Sequence, residues 1–377
     1  MSRKGTGGNI VFRLNAGHET GYGHLVRCMA LARKLAESGF ASIFITDNDP
    51  SGATPLNLGG AFEHVQLPPA HSADDEQNAL MNIIHSAKPV AAVVDMLRGD
   101  NRIMETFSGA GLAILAVDDV YENNFKADII VNSSLYAKED DYAGRGAMLL
   151  LGPKYFMLRG EFAEMRTMNR GQAATGKQIN GTTGKQENPT QAGYKKLLMS
   201  FGGSDPHKLT IRSLQALKTL KRPVELMVMV GDGSADFNNI YKLAASMPFK
   251  TEVHRGSAKP WELMAGASLA ICSIGNTTWE LAALGVPSVV ITFFEGQSKN
   301  ADALDKLGAG IHLSRNPDFD TAALLETVDM LLDDEERLLW MSAKCVELVD
   351  GLGAERVAQA LVDTLSGRNN ENKAFPA

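Results

Sequence analysis

The sequence predicts an α/β protein of two units, the first built on a mostly parallel, doubly wound sheet. Three observations carry this expectation. Short apolar segments alternate with stretches of helical period along most of the chain. Val90–Asp95 (VAAVVD), apolar up to its final Asp, and Ala113–Val117 (AILAV) read as strands buried on both faces. A polar stretch, 168–193, interrupts the globular composition near the middle of a 377-residue chain, which is long enough for two ordinary domains.

The first strand is Ile10–Leu14. A loop containing Gly17, Gly21 and Gly23 follows, and then Leu25, Val26, Met29, Leu31, Ala32, Leu35 and Ala36 recur at helical spacing. His24 therefore opens a helix after a glycine-rich turn. Backbone N–H groups at a helix start attract anions and disfavour an imidazolium, which keeps His24 neutral and able to take a proton. A histidine there also serves simply as a cap. Further strands are expected at Ala41–Thr46, Phe62–Leu67, Val90–Asp95, Ala113–Val117, Ile129–Val131 and Met148–Leu151, with a helix over Asp74–Ser86. Doubly wound sheets bind ligands at the carboxyl ends of their strands. That rule selects Asn15, His24, Asp47, Asp95, Asp118 and Asp119 as one rim, although each Asp equally suits a turn.

Between Met168 and Gly193 the chain is rich in Asn, Gly, Thr, Gln and Lys, and the tetrapeptide TGKQ occurs twice. Such a segment buries too little apolar surface to offset its ordering entropy and reads as a linker or insertion. It divides an expected first domain, 9–160, from an expected second, 195–366. Gly171–Lys177 imitates the start of a phosphate-binding G-x-x-x-x-G-K loop, but Gln178 replaces the Ser or Thr and no strand precedes it. The second unit has strands at Lys196–Phe201, Pro223–Val230, Thr251–His254, Leu269–Ser273 and Pro287–Thr292, helices over Trp261–Ala265 and Asn300–Leu307, and a helical tail over Thr321–Leu365. Its loops Gly202-Gly203-Ser204-Asp205 and Gly275-Asn276-Thr277 each lie between a strand and a helix, and together suggest a diphosphate cradle. Glu280, one helical turn beyond Asn276, is placed for ribose hydroxyls. No G-x-G-x-x-G opens either unit, which argues against a dinucleotide cofactor.

A net charge of −7 without a basic stripe argues against a nucleic-acid partner. Cys28, Cys272 and Cys345 are far apart, which fits a reducing compartment and provides no metal site. No apolar run is long enough to span a membrane and Met1–Gly8 has no signal-like apolar core, so a cytoplasmic location is expected. The other histidines, His18, His64, His71, His85, His207, His254 and His312, show no helical metal-site spacing and read as surface or packing residues. His18, in the same loop as His24, is the one expected to assist binding.

Several stretches resemble a known family. They are Gly21-Tyr22-Gly23-His24 with Arg27, Leu151-Gly152-Pro153-Lys154-Tyr155, Phe201-Gly202-Gly203-Ser204-Asp205-Pro206, Trp279-Glu280 and Glu295-Gly296-Gln297. Together they resemble the UDP-2,4-diacetamido-2,4,6-trideoxy-β-L-altropyranose hydrolases of pseudaminic acid biosynthesis. That family is similar in fold to GT-B glycosyltransferases of the MurG type. The resemblance implies two Rossmann-like domains with a cleft between them, UDP held by the second and a histidine presented by the first. It implies metal-independent hydrolysis of a UDP-sugar, no cofactor, and His24 as the base that activates water. It further implies substrate contacts from Arg13, Asn15, Gly21, Tyr22, Gly23, Asp95, Gly202, Gly203, Ser204, Asp205, Gly275, Asn276, Thr277, Glu280 and Gln297. The chain departs from the pattern at Asn15, where the family commonly has an acidic residue, and at Met96-Leu97, where it commonly has His-Tyr. The alternatives are a glycosyltransferase using a related nucleotide sugar in surface polysaccharide biosynthesis and a non-catalytic nucleotide-sugar-binding protein.

Overall fold

A computed structural model describes residues 7–16, 22–47, 62–67, 72–96, 101–119, 126–173, 194–203, 205–232 and 234–374. The chain divides into two units, Met1–Arg159 with Leu352–Ala377, and Gly160–Gly351.

The first unit runs β1 (Gly8–Leu14), α1 (Gly23–Glu37), β2 (Phe40–Thr46), β3 (Glu63–Gln66), α2 (Ala73–Ala87), β4 (Pro89–Asp95), α3 (Asn101–Gly109), β5 (Ala113–Val117), β6 (Ile129–Asn132) and β7 (Met148–Leu151). These strands form one parallel sheet in the order β3-β2-β1-β4-β5-β6-β7. The order reverses between β1 and β4, so the loops after those two strands diverge to opposite faces and leave a crevice at their carboxyl ends. Side chains of β1 alternate between two cores as a strand requires. Ile10, Phe12 and Leu14 pack with Leu31 and Leu35 of α1, while Val11 joins Ile43, Ile45, Val94 and Leu80 on the other face.

The second unit runs α4 (Gly160–Ala173), β8 (Lys195–Ser200), α5 (Leu209–Leu217), β9 (Val224–Val230), α6 (Phe237–Ala244), β10 (Thr251–Arg255), α7 (Pro260–Met264), β11 (Leu269–Ser273), α8 (Asn276–Ala283), β12 (Ser288–Ile291), α9 (Glu295–Lys306), β13 (Gly310–Ser314), α10 (Thr321–Asp333) and α11 (Glu335–Leu348). Its parallel sheet has the order β10-β9-β8-β11-β12-β13, with the reversal between β8 and β11. α4 is tied into this unit: Phe162 meets Trp261 edge-on at 6.0 Å, and Arg166 donates to the carbonyls of Val346 and Val349. The chain then returns to the first unit with α12 (Gly353–Ala374).

Two boundaries differ from expectation. Residues 353–366 were expected to close the second domain, but Ala354, Val357, Ala358, Leu361 and Leu365 lie in the core that includes Leu31 and Leu35 of α1. Their i, i+4 stripe covers apolar surface that the first sheet would otherwise expose, which is why the helix joins that unit. The expected 168–193 linker is helical at its start, because α4 continues through Ala173; 174–193 lie outside the described residues.

Candidate functional site

The reversal point of the first sheet brings together four side chains that are remote in sequence. Asp95 is the last residue of β4 and is fully buried. His24 lies in the first turn of α1, and Arg27 lies one turn further on the same face. Asp119 stands two residues beyond β5. His24 Nδ1 is 2.7 Å from Asp95 Oδ1. Arg27 grips Asp95 with two bonds, Nε to Oδ2 at 2.6 Å and Nη2 to Oδ1 at 2.5 Å, and Nη2 also donates to Asp119 Oδ2 at 2.7 Å. The Cys28 thiol adds a contact of 3.3 Å to Asp95 Oδ2.

These contacts decide the histidine tautomer. Burial alone would raise the Asp95 carboxyl, but the Arg27 and His24 beside it hold it far below the usual carboxylate range, so Asp95 is an acceptor only. Arg27 Nη2 lies 3.0 Å from His24 Nδ1, but both of its hydrogens go to Asp95 and Asp119. The proton between His24 Nδ1 and Asp95 therefore belongs to the imidazole, an arrangement that in the neutral ring leaves the lone pair on Nε2. Arg27 is itself buried; the cost of that burial is outweighed by Asp119 and Asp95, which hold it firmly protonated. Burial, reinforced by the charge on Asp95, keeps the Cys28 thiol protonated and suited to donate.

His24, Asp95 and Asp119 each offer a ligand atom within 4.8 Å of one another, a spacing that suits a metal ion. Arg27 Nη2 stands 3.0 Å from the imidazole nitrogen, 2.5 Å from Asp95 and 2.7 Å from Asp119, the place an ion would take. Its fixed positive charge opposes a cation there.

Arg13 departs from the expected substrate contact. It follows Phe12 on the opposite face of β1 and is 1% exposed. Its donors are used in the interior, Nε on Glu76 at 2.5 Å, Nη1 on the Leu14 carbonyl at 2.8 Å and Nη2 on Asp47 at 2.5 Å. Asp47 in turn accepts from Asn15 Nδ2 at 2.7 Å, so Arg13 acts by fixing the Asp47–Asn15 pair at the rim. Asp118 is buried in a separate network, accepting from Tyr142 Oη at 3.2 Å, which in turn accepts from Asn132 Nδ2 at 2.8 Å. Tyr22 precedes α1, and its carbonyl accepts from the Val26 N–H at 3.0 Å; Gly23 begins the helix. Gly21 and His18 lie outside the described residues.

In the second unit the two glycine loops prove unlike. Asp205, at φ +45°, turns both carboxylate oxygens onto the start of α5, accepting from Leu209 N at 2.9 Å and Thr210 N at 2.8 Å. The N-terminus expected to receive phosphate is thus filled by the chain's own carboxylate. Gly202 and Gly203 shape that loop, and Gly203 packs so closely on Gly231 that a Cβ at Gly231 would lie 2.2 Å from the Gly203 carbonyl oxygen. Ser204 lies outside the described residues. The first turn of α8 is formed by Asn276 and Thr277, and its N-cap, Gly275, is exposed with open space where a Cβ would be. Glu280 is buried one turn along the same helix. Gln297 accepts from the Phe293 N–H at 3.0 Å and donates to the Ile274 carbonyl at 3.1 Å. His312, expected as a surface or packing residue, is half-buried, with Nδ1 2.7 Å from Asp302 and Nε2 3.1 Å from Thr292 Oγ1.

Sequence reasoning placed His24, Asp95 and Asp119 on one rim, but named neither Asp119 nor Arg27 among the substrate contacts, Arg27 entering only with the stretch that carries the family resemblance. The available signal was the i, i+3 spacing of His24 and Arg27, which puts both on one helix face.

Comparison with known proteins bears on both units. Residues 197–359 match the family model of the glycosyltransferase family 28 C-terminal domain. The crystal structure of Acinetobacter baumannii MurG superposes with a TM-score of 0.65 at 16% identity, covering 94% of this chain and 99% of that one. The fold is that of the GT-B glycosyltransferases, with two Rossmann-like halves. An uncharacterised protein of Methanocaldococcus jannaschii is 26% identical over 78% of this chain and 58% of its own length. The UDP-2,4-diacetamido-2,4,6-trideoxy-β-L-altropyranose hydrolase of Campylobacter jejuni is 25% identical over 43% of this chain and 56% of its own. The chain thus spans less than two thirds of the length of either relative. Among the described residues no helix is long and apolar enough to cross a membrane.

Proposed function

We propose that this protein hydrolyses the bond between UDP and a 2,4-diacetamido-2,4,6-trideoxyhexose, with His24 as the base that activates water. The observation that carries the reading is the His24–Asp95 pair, whose proton sits on Nδ1 and leaves Nε2 able to accept another. In the proposed step a water proton passes to Nε2 and the water oxygen bonds to the sugar C1. The C1–O bond to UDP breaks, and its electron pair leaves on the diphosphate. Asp95 then faces an imidazolium, and its buried carboxylate stabilises that charge as it forms. In the second unit the start of α8, which opens at the exposed Gly275, is the proposed diphosphate site, where first-turn N–H groups take the developing charge, and Glu280 is the proposed ribose contact. No cofactor or metal enters the scheme. The similarity to the Campylobacter jejuni hydrolase supports this choice of substrate.

A second reading, glycosyl transfer to an alcohol, is favoured by the family 28 match and by Met96-Leu97, where the resembled hydrolases commonly have His-Tyr. The same base would deprotonate the acceptor hydroxyl. Purified protein incubated with a panel of UDP-sugars, with and without acceptor alcohols, separates the readings. UDP release in water alone from the diacetamido sugar is the expected result. Release only when an acceptor is present would assign a transferase, and binding without release would leave a nucleotide-sugar-binding protein.

A further inference from the structure

We infer that Gln297 is a positioning residue that sets the geometry of the Ile274–Thr277 turn through its side-chain amide. The inference rests on the reading of that turn as the diphosphate site. Gln297 is the third residue of α9, and its two bonds do different work. Oε1 accepts from the Phe293 N–H just before the helix, the reach-back of an N3 side chain that tidies a helix start. Nε2 instead leaves its own element and donates to the Ile274 carbonyl, 23 residues away, at the start of the α8 turn. The partners fix the amide orientation, since an N–H needs the oxygen and a carbonyl needs the nitrogen.

α9 provides a fixed base for this second bond. Ser298, beside Gln297, lies 2.8 Å from Thr292 Oγ1, and Thr292 Oγ1 lies 3.1 Å from His312 Nε2. His312 Nδ1 faces Asp302 at 2.7 Å, and Asp302 accepts from Arg315 at 2.5 Å. The start of α9 is therefore bolted to the ends of β12 and β13, and Gln297 extends that fixed frame to the neighbouring turn. From inside α8 the Thr278 hydroxyl donates to the Ser273 carbonyl at 3.0 Å, so the turn is held from both sides. A phosphate site made of backbone N–H groups gains its strength from such preorganisation, because the donors need not reorient when the anion arrives.

Gln297→Glu separates the two bonds. Glutamate at N3 keeps the reach-back to the Phe293 N–H, but sets an acceptor oxygen against the Ile274 carbonyl. Gln297→Ala removes both. Amide hydrogen exchange of the ligand-free proteins, with β8 as the internal measure of folding, should show faster exchange over 274–280 in both variants. Affinities for UDP and for UDP-N-acetylglucosamine should fall by the same factor, about three- to tenfold, the weight of one neutral hydrogen bond. Unchanged exchange over 274–280, unchanged UDP affinity, or a loss confined to the sugar nucleotide would each overturn the inference. If the unaltered protein binds no UDP, the functional reading falls, and the exchange result alone decides whether Gln297 staples the turn.

Discussion

His24 Nδ1 lies 2.7 Å from Asp95 Oδ1, although the two residues are 71 positions apart. The pair exists because β1 and β4 are neighbours at the reversal of strand order, so the helix that follows one strand begins over the end of the other. Arg27 makes the pairing directional by donating to both Asp95 oxygens, so that the carboxylate is left to accept from His24 Nδ1.

His24→Asn keeps a polar side chain of similar reach but removes the proton acceptor. Turnover should fall by roughly two to four powers of ten, the usual size of a general-base contribution. UDP affinity and melting temperature should stay close to those of the unaltered protein, since the proposed nucleotide contacts lie in the second unit. Kinetics and melting measured on one preparation check this. A stable variant with full turnover would remove His24 from the mechanism.

Asp95→Asn leaves the Arg27 guanidinium buried with only part of its counter-charge, and such a break costs roughly 3–5 kcal/mol. The pH dependence follows from the carboxyl being held below its ordinary range in the folded state. Its contribution to stability is complete above the unfolded value of about 4 and is lost as pH falls through the folded value. Urea titrations should show a gap between the two proteins that is widest near neutrality and narrows below about pH 4. A gap that is constant with pH would show that Asp95 contributes only shape.

Asp205→Ala and Glu280→Gln should have opposite consequences. The first removes a carboxylate that accepts two N–H bonds at the start of α5. It should cost about 0.5–2 kcal/mol of stability, the range for a lost helix cap, with UDP affinity unchanged. The second should weaken UDP binding by roughly 1.5–3 kcal/mol, the weight of a hydrogen bond to a charged group. Calorimetric titration of both variants with UDP tests the pair, and a large loss of UDP affinity in Asp205→Ala would return the first glycine loop to the diphosphate site.

Excess EDTA should leave turnover unchanged, because Arg27 Nη2 stands among the ligand atoms of His24, Asp95 and Asp119. Loss of turnover on chelation and its recovery with Mg²⁺ would mean that Arg27 gives way to an ion during the reaction.

All the strands except β13 (Gly310–Ser314) were legible from local pattern. The continuous apolar runs at Val90–Asp95 and Ala113–Val117 lie in the middle of the first sheet, where both faces are covered. The rim rule also placed His24 and Asp95 correctly, because it depends only on where parallel strands end. Arg13 shows what this approach misses: it too is near a strand end, but the two-residue period turns it to the α2 side, where Glu76 and Asp47 take its donors. Asp205 and the α8 turn looked alike as glycine loops, and only the folded structure showed that the start of α5 is filled by a carboxylate while α8 opens at an exposed glycine.

By itself, the sequence determined the two α/β units, their strand succession up to β12 and the histidine at the opening of the first helix. These follow from hydrophobic period and turn chemistry, which act between near neighbours along the chain. The tertiary structure decided that Arg27 and Asp119 join His24 and Asp95, that the last helix belongs to the first unit, and that Asp205 fills the start of α5. Each of those outcomes depends on which buried charge or apolar stripe finds its partner in space. A charge buried without a partner costs several kcal/mol, so the fold must bring such partners together from distant positions, and no local spacing records which ones will meet.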